Sequence, residues 1–443
     1  MQATAALLTL LLPALLSAAV PLDEYRARRT AVRERLAKDE AVLVLYGATE
    51  SERGDLRSRF FQEPNFYYLT GWTDPGAVLL LTPTDEFLFV PPLNEVNERY
   101  TGKKLLPTDP AAPTRSGVAK VLPYPKLELT FFTAIESTKK IYGLIEFNRP
   151  QLLRRLANTR KLENAAPILF PMRMRKSPAE IELLQKSIDV TLDAHRAAWQ
   201  RTASGLFEYQ IGATMVNVYS DRGCERNAYP PIVGSGPNST VLHYAKNDRR
   251  MDAGEVLLMD VGAECFMYAA DITRTIPVNG RFSPRQREIY DLVLTAQQAA
   301  IAAVKPGMNL TKVGEKSLYK VAYDVIEAKG LGKYFTHGLG HHIGLEVHDP
   351  GPTDTPLEPG MVITIEPGIY IPAEAIGIRI EDMVLVTPTG GVVLSKGLPS
   401  DPEAIEKFMR NDRKPYTWIL ARPHRRRRPR PPRRLGPPRC PIR

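Results

Sequence analysis

Apolar and polar positions change their period several times along the chain, and each change marks an element. The segment YRARRTAVRERLAKD, within residues 22–40, predicts a helix, and the apolar run AVLVLYG that follows predicts a strand. RFFQEPNFYYLTGW, AVLLLTP and EFLFVPP then read as successive strands punctuated by Gly and Pro. KIYGLIEF, near 140–147, repeats that pattern before the helix-like QLLRRLAN. Residues 22–165 are therefore expected to form a mixed α/β domain with no convincing catalytic constellation of its own.

A boundary is expected near PMRMRKSPAEIELL, where Ser177 suits an N-cap, Pro178 the first helical turn and Glu180 a capping box. Ile181, Leu184, Ile188 and Leu192 then share one helical face. A second box opens at Ser283 with Pro284 and Gln286, and that helix should stop at KPG, residues 305–307. Between and after these helices run β-branched segments. Residues 176–410 thus predict an α+β domain, helices packed on a largely antiparallel sheet.

Composition adds less. A chain of 443 residues, 43% hydrophobic, can bury a large core and is expected to hold two domains. Cys224, Cys265 and Cys440 show no metal-type or disulfide spacing, and Cys265 is expected to pack as a small hydrophobe. Residues 3–20 are uncharged, with LLTLLLPALL followed by SAAVP. They read as a secretory signal over 1–19 with Ser17 and Ala19 before the cut, which implies a secreted or periplasmic protein. The alternatives are an uncleaved anchor or a misassigned start, the latter leaving the protein cytoplasmic. The net charge of +10 resides in residues 421–443, which carry ten arginines and no acid. This Arg/Pro-rich tail is expected to be disordered. It reads either as a binder of nucleic acid or an anionic surface through counterion release or as an incidental extension; the latter is favoured, so no nucleic-acid partner is expected.

The chemistry lies in five residues of the second domain. Asp260 ends VLLMD and Asp271 lies in YAADITRT. Glu366 interrupts VITIEPGIY, Glu381 interrupts IGIRIEDMVLV, and His341 lies in HGLGHHIGLEVHD. Each acid sits in strand-like sequence, where a carboxylate tends to be buried. A buried carboxylate pairs, neutralises or binds a metal. The segment GAECFMYAA between the aspartates permits a hairpin or bulge that would bring them together. Period-2 alternation puts Arg379 beside Glu381, where its guanidinium could steady that carboxylate or a neighbouring acid. Mixed carboxylate and imidazole ligands suit Mn, Co, Fe or Zn.

The order Asp, Asp, His, Glu, Glu within MDVGAE, DITRT, HGLGHHIGLEVHD, TIEPGIY and GIRIED resembles the pita-bread metallopeptidases. It is most similar to the Xaa-Pro aminopeptidases (aminopeptidase P) and the related Xaa-Pro dipeptidases, or prolidases. The resemblance covers residues 22–410 and implies a creatinase-like amino-terminal domain before a pita-bread catalytic domain. It implies that Asp260 binds one metal, His341 and Glu366 the other, and that Asp271 and Glu381 bridge both. Manganese is the metal it suggests, with cobalt or zinc as alternatives. Solvent held between two such cations would attack the peptide bond before proline, with Glu366 as general base.

The resemblance also assigns His243, in VLHYAKND, and His348, in EVHD, to the tetrahedral intermediate or the substrate, and His337 to the proline pocket. Arg379 joins the catalytic set as a supporting cation. Any one histidine read alone is more often structural, and His342 is expected only to pack. The resemblance also places Tyr229, in AYPPIVGSG, near the metals, although the adjacent PP departs from the family's usual polar sequence. Trp72 and FYYLTGW resemble a substrate-contacting surface of family oligomers, and a buried aromatic cluster explains them equally well. The leading expectation is an aminopeptidase acting on peptides with proline second, in a dimer or tetramer. A prolidase is the runner-up. A non-catalytic binder of peptide or nucleic acid is the remaining alternative.

Overall fold

The structure, a computed structural model, describes residues 20–50, 59–144 and 161–411. The expected signal segment, the arginine tail and the helix expected at QLLRRLAN lie outside the described residues. Among the described residues no helix is long and apolar enough to cross a membrane.

In the amino-terminal domain, α1 (Leu22–Asp39) has Asp23 and Glu24 in its first turn and Lys38 in its last, each sign matching the helix dipole. It leads to β1 (Ala41–Tyr46), whose residues 41–45 are all buried. Next comes a departure from expectation. Pro64–Thr70 is not a strand but a helix, α2. Glu63 caps it by accepting from the backbone N–H groups of Asn65 and Phe66, at 3.1 and 2.6 Å, and Pro64 suits its first turn. The cap outweighs the strand preference of the aromatic residues.

Strands β2 (Val78–Leu81), β3 (Glu86–Val90), β4 (Lys120–Pro123), β5 (Lys140–Gly143) and β6 (Lys161–Asn164) complete a mixed six-stranded sheet in the order β4-β3-β2-β1-β5-β6. Helices α3 (Glu95–Thr101), α4 (Ala112–Ser116) and α5 (Leu127–Ile135) lie in the connections. Phe89, Phe131 and Ile141 are buried in the small core beneath α5. Trp72 is 5% exposed and belongs to the main core, in line with the buried-cluster reading.

Helix α6 (Ala166–Met174) leads into the second domain. Helix α7 (Pro178–Arg201) starts at the expected box, with Glu180 N–H donating to Ser177 Oγ at 3.2 Å and Ser177 N–H to Glu180 Oε2 at 3.0 Å. Its buried face includes Leu184, Ile188 and Leu192, with Leu183 in place of the partly exposed Ile181. Helices α8 (Glu208–Asp221), α9 (Pro284–Ala303), α10 (Leu318–Glu327) and α11 (Pro402–Asn411) follow, and α9 starts at the expected Ser283 box.

These helices surround small antiparallel sheets. Strands β8 (Ile232–Ser235), β9 (Val256–Val261) and β12 (Ile272–Pro277) run in the order β12-β9-β8. Strands β7 (Arg226–Asn227), β10 (Ala263–Cys265) and β11 (Tyr268–Ala269) form a second sheet. Strands β13 (Val362–Ile365), β16 (Asp382–Thr387) and β17 (Gly390–Val393) form a third, and β14 (Gly368–Ile371) pairs with β15 (Ile376–Arg379). The antiparallel α+β architecture is as expected.

Side chains tie the two domains together. Arg28 of α1 meets Glu180 of α7 at 2.9 Å, with both side chains buried. The Arg226 guanidinium lies 3.4 Å from the centroid of the Phe61 ring.

Candidate metal centre and active site

Strands β9 and β12 pair with Asp260 opposite Thr273, so Asp271 emerges two residues before the partner of Asp260, on the same side. Between the two acids the chain leaves the sheet as the β10–β11 hairpin. The crossing is tight: a Cβ at Gly262 would lie 1.8 Å from the Ala270 carbonyl oxygen, so only glycine fits.

A disulfide between Cys224 and Cys265, with Cα atoms 4.4 Å apart, fastens this hairpin to the segment entering β7. It corrects the expectation that Cys265 packs as a free hydrophobe. The partners are 41 residues apart, and what brings them together is the β7–β10 pairing of Asn227 with Ala263 and Arg226 with Glu264. Spacing alone does not reveal that pairing.

His341 is oriented from two sides. Its backbone N–H donates to Thr364 Oγ1 at 3.0 Å, and its Nδ1 faces the His342 carbonyl at 3.0 Å. Against a carbonyl Nδ1 must donate, so Nε2 presents a lone pair to the cavity. That lone pair lies 3.4 Å from Asp271 Oδ2 and 3.5 Å from Glu366 Oε1. Three acceptors thus face one another, an arrangement that a cation completes. Ligand atoms of Asp271, His341 and Glu381 all lie within 4.8 Å of one another.

The electrostatics agree. Burial, then repulsion from Asp260 and Glu366, pushes the Asp271 carboxyl well above the usual range. Burial, then Asp271 and Glu366, does the same to Glu381. Burial also raises Glu366, although His341 and Arg379 oppose it. Arg379 brings one positive charge, its Nη2 donating to Asp260 Oδ2 at 2.5 Å and its Nη1 to the Tyr370 hydroxyl at 2.8 Å. Burial disfavours that charge, but Tyr370, Asp260 and Glu366 more than offset it and hold the guanidinium protonated. One guanidinium among four acids leaves the charge uncompensated, and hard divalent cations fit this donor set.

The five candidate ligands Asp260, Asp271, His341, Glu366 and Glu381 line one cavity of about 330 Å³. His243 and His348 line it as well, together with Tyr229, Pro230, Ile232, Ala245 and Val347. The His348 ring meets that of His341 edge-on at 4.4 Å. Burial, then His341 and His243, lowers the pKa of His348, so its imidazole is neutral near pH 7. His337 stands behind Glu366, with Nδ1 4.0 Å from Glu366 Oε2 and Nε2 2.9 Å from the Tyr370 hydroxyl. Burial and then Arg379 lower its pKa to about 3. His342 is buried and packs over Gly351, as expected.

Thr273 and Thr364 escape sequence reasoning, and Tyr229, placed near the metals by the resemblance, gains its partners here. The Tyr229 hydroxyl bonds Asp260 Oδ1 at 2.5 Å and also Asp271. Thr273 Oγ1 donates to Glu381 Oε2 at 2.7 Å and receives Arg379 Nε at 3.3 Å. Thr364 Oγ1 donates to Glu366 Oε1 at 3.2 Å. A sequence signal exists for one of them. Thr364 lies two residues before Glu366, so strand alternation puts it beside its acid, whereas Thr273 reaches Glu381, 108 residues away, only through the fold.

Comparison with known proteins agrees with this geometry. Residues 25–142 match the aminopeptidase P amino-terminal domain, and residues 182–388 match metallopeptidase family M24. An Xaa-Pro aminopeptidase of Haemophilus influenzae is 34% identical over 88% of this chain and 98% of its own length. The chain belongs to metallopeptidase family M24. An Xaa-Pro dipeptidase of Pyrococcus horikoshii is also 34% identical to this M24 chain, over 76% of it and 91% of the relative. The solved structure of Escherichia coli aminopeptidase P with the inhibitor Pro-Leu superposes with a TM-score of 0.81 at 29% identity, covering 89% of this chain and 99% of that one. An amino-terminal domain before a pita-bread domain is therefore the fold of this M24 protein.

Proposed function

We propose that this M24 chain is a metal-dependent aminopeptidase that removes the residue preceding a proline at the second position of a peptide. The observation that carries the reading is the convergence of Asp260, Asp271, His341, Glu366 and Glu381 on a cavity that also presents His243 and His348. Asp260, Asp271, His341, Glu366 and Glu381 would hold two divalent cations, manganese in our reading and cobalt or zinc as alternatives. When bound, the cations supply Lewis acidity and lower the pKa of water.

The protein's own groups do the rest. Glu366 Oε1 is held by Thr364, and the carboxylate accepts the proton of the attacking water and returns it to the leaving proline nitrogen. His243 and neutral His348 donate hydrogen bonds to the carbonyl oxygen as it gains charge. His337 and Tyr370 form the wall behind Glu366, where the proline ring would rest. Arg379, Tyr229 and Thr273 fix the acids that bind metal.

We favour the aminopeptidase over the dipeptidase because the aminopeptidase relative aligns over more of this chain. The test is hydrolysis of Ala-Pro-Ala against Ala-Pro by manganese-loaded protein, with bound metal counted in parallel. Alanine release from the tripeptide is expected. Cleavage of the dipeptide alone would overturn the choice.

We further propose an exported protein. Support comes from the signal-like segment before residue 20 and from the Cys224–Cys265 disulfide, a bond that persists in oxidising compartments. A dimer or tetramer is also part of the proposal, and solution mass tests it.

A further inference from the structure

One buried polar cluster connects the amino-terminal domain to the loop that carries His341 and His348. Asp349 follows His348 directly, yet its carboxylate points away from the cavity and is buried. Asp349 Oδ1 accepts from Arg173 Nη2 at 2.5 Å and from the Glu346 backbone N–H at 3.3 Å. Oδ2 accepts from Lys176 Nζ at 3.0 Å. The Asp349 backbone N–H donates to the His342 carbonyl at 2.9 Å and closes residues 342–349 into a loop.

The carboxylate fills the inside of that loop. A Cβ on Gly344 would lie 2.7 Å from Asp349 Oδ2 and 2.8 Å from Lys176 Cε. Burial alone would raise the Asp349 carboxyl, but Arg173 and Lys176 overcome this and hold it below the ordinary range. The cluster extends outward through Arg173. Its Nη1 donates to Asn65 Oδ1 at 2.8 Å, and Asn65 Nδ2 donates in turn to Glu63 Oε1 at 2.9 Å. Glu63 and Asn65 belong to the start of α2, in the other domain.

We infer that Asp349, clamped by Arg173 and Lys176 and tied through Asn65 to the amino-terminal domain, is a positioning residue that sets the place of His348 in the active site. The inference rests on the proposed role of His348 as a donor to the reacting carbonyl. None of these groups lines the catalytic cavity, so their effect reaches substrate only through the loop. Rotation of the loop would move the imidazole relative to the carbonyl, and a displacement of about 1 Å can cost about 100-fold in rate.

The test uses full-length, metal-loaded enzyme and the variants Asp349→Asn, Asn65→Ala, His348→Ala and Asp349→Asn combined with His348→Ala. For a short Xaa-Pro-Xaa peptide, Asp349→Asn should lower kcat about 10- to 100-fold with KM within about twofold, as for other groups that orient a catalytic residue. Bound metal should stay at the wild-type level. Asn65→Ala, distant from the site and safer for folding, should lower kcat in the same direction by a smaller factor. Adding Asp349→Asn to His348→Ala should produce no further loss, because the carboxylate acts through that imidazole. Should Asp349→Asn not fold, Asn65→Ala in the presence and absence of His348→Ala carries the same cycle.

The proposal is overturned if the variants lower the melting temperature while kcat per folded, metal-loaded molecule is unchanged. It is also overturned if the losses from Asp349→Asn and His348→Ala multiply. Full activity of His348→Ala would overturn it together with the assigned role of His348. Absence of wild-type hydrolysis would instead defeat the proposed function itself.

Discussion

Breaking the Cys224–Cys265 bond should destabilise the catalytic domain by an amount that the chain connectivity sets. The bond closes a loop of 41 residues, and such a cross-link removes up to about 4 kcal/mol of chain entropy from the unfolded state. The closed segment contains β7, β8, β9 with Asp260, and β10, so the effect belongs to the part that builds the candidate metal centre. Trp199, buried in α7, reports on that domain by fluorescence. The urea midpoint of the Cys224→Ser, Cys265→Ser variant should fall on the order of 1 M below that of the oxidised protein. Reductant should move the wild type to the same place and leave the variant alone. Unfolded without reductant, the wild-type chain should expose no more than one reactive thiol, that of Cys440. Three thiols in that assay, or a midpoint unmoved by reductant, would refute the reasoning.

Arg379→Met should leave Asp260 buried without its partner, at a cost of about 3–5 kcal/mol. Thermal unfolding without added metal should show the full loss, and manganese should restore part of it. His195, fully buried against the Ile272 carbonyl, has its pKa pushed down by burial to about 3. From about pH 6.5 down to that value the unfolded chain takes up a proton that the native state refuses. Stability should therefore fall by about 1.4 kcal/mol per pH unit from this group, and His195→Asn should flatten the acid limb of a stability–pH curve. Deletion of residues 421–443 should leave kcat/KM for a proline-containing tripeptide unchanged, and loss of turnover would revive the binding reading of that basic segment.

Local signals carried much of the fold into view. The Ser177 and Ser283 boxes are satisfied within four residues, so their helices start where sequence alone puts them. The candidate ligands were legible for a related reason: an acid in a β-branched run is costly wherever the strand ends up. What stayed hidden depends on long-range partners. Arg379 was legible as a supporting cation, but that it pairs with Asp260 rather than Glu381 follows from the packing of β15 beside β9, 119 residues away in sequence. The proline neighbours of Tyr229 obscure its place in the sequence, and only the fold brings its hydroxyl to two acids. The α2 helix is hidden in an aromatic, strand-like run because its start depends on a glutamate cap, Glu63, rather than on a Ser or Asp signal.

The five acceptor side chains span residues 260–381, and they meet only once the pita-bread domain has closed. An unfolded chain offers no such meeting point, so cation binding would favour the native state by mass action. Each tenfold rise in free metal beyond a site's dissociation constant would add about 1.4 kcal/mol to the folding equilibrium for each cation bound. Metal supply would then govern how long the enzyme survives as well as how fast it turns over.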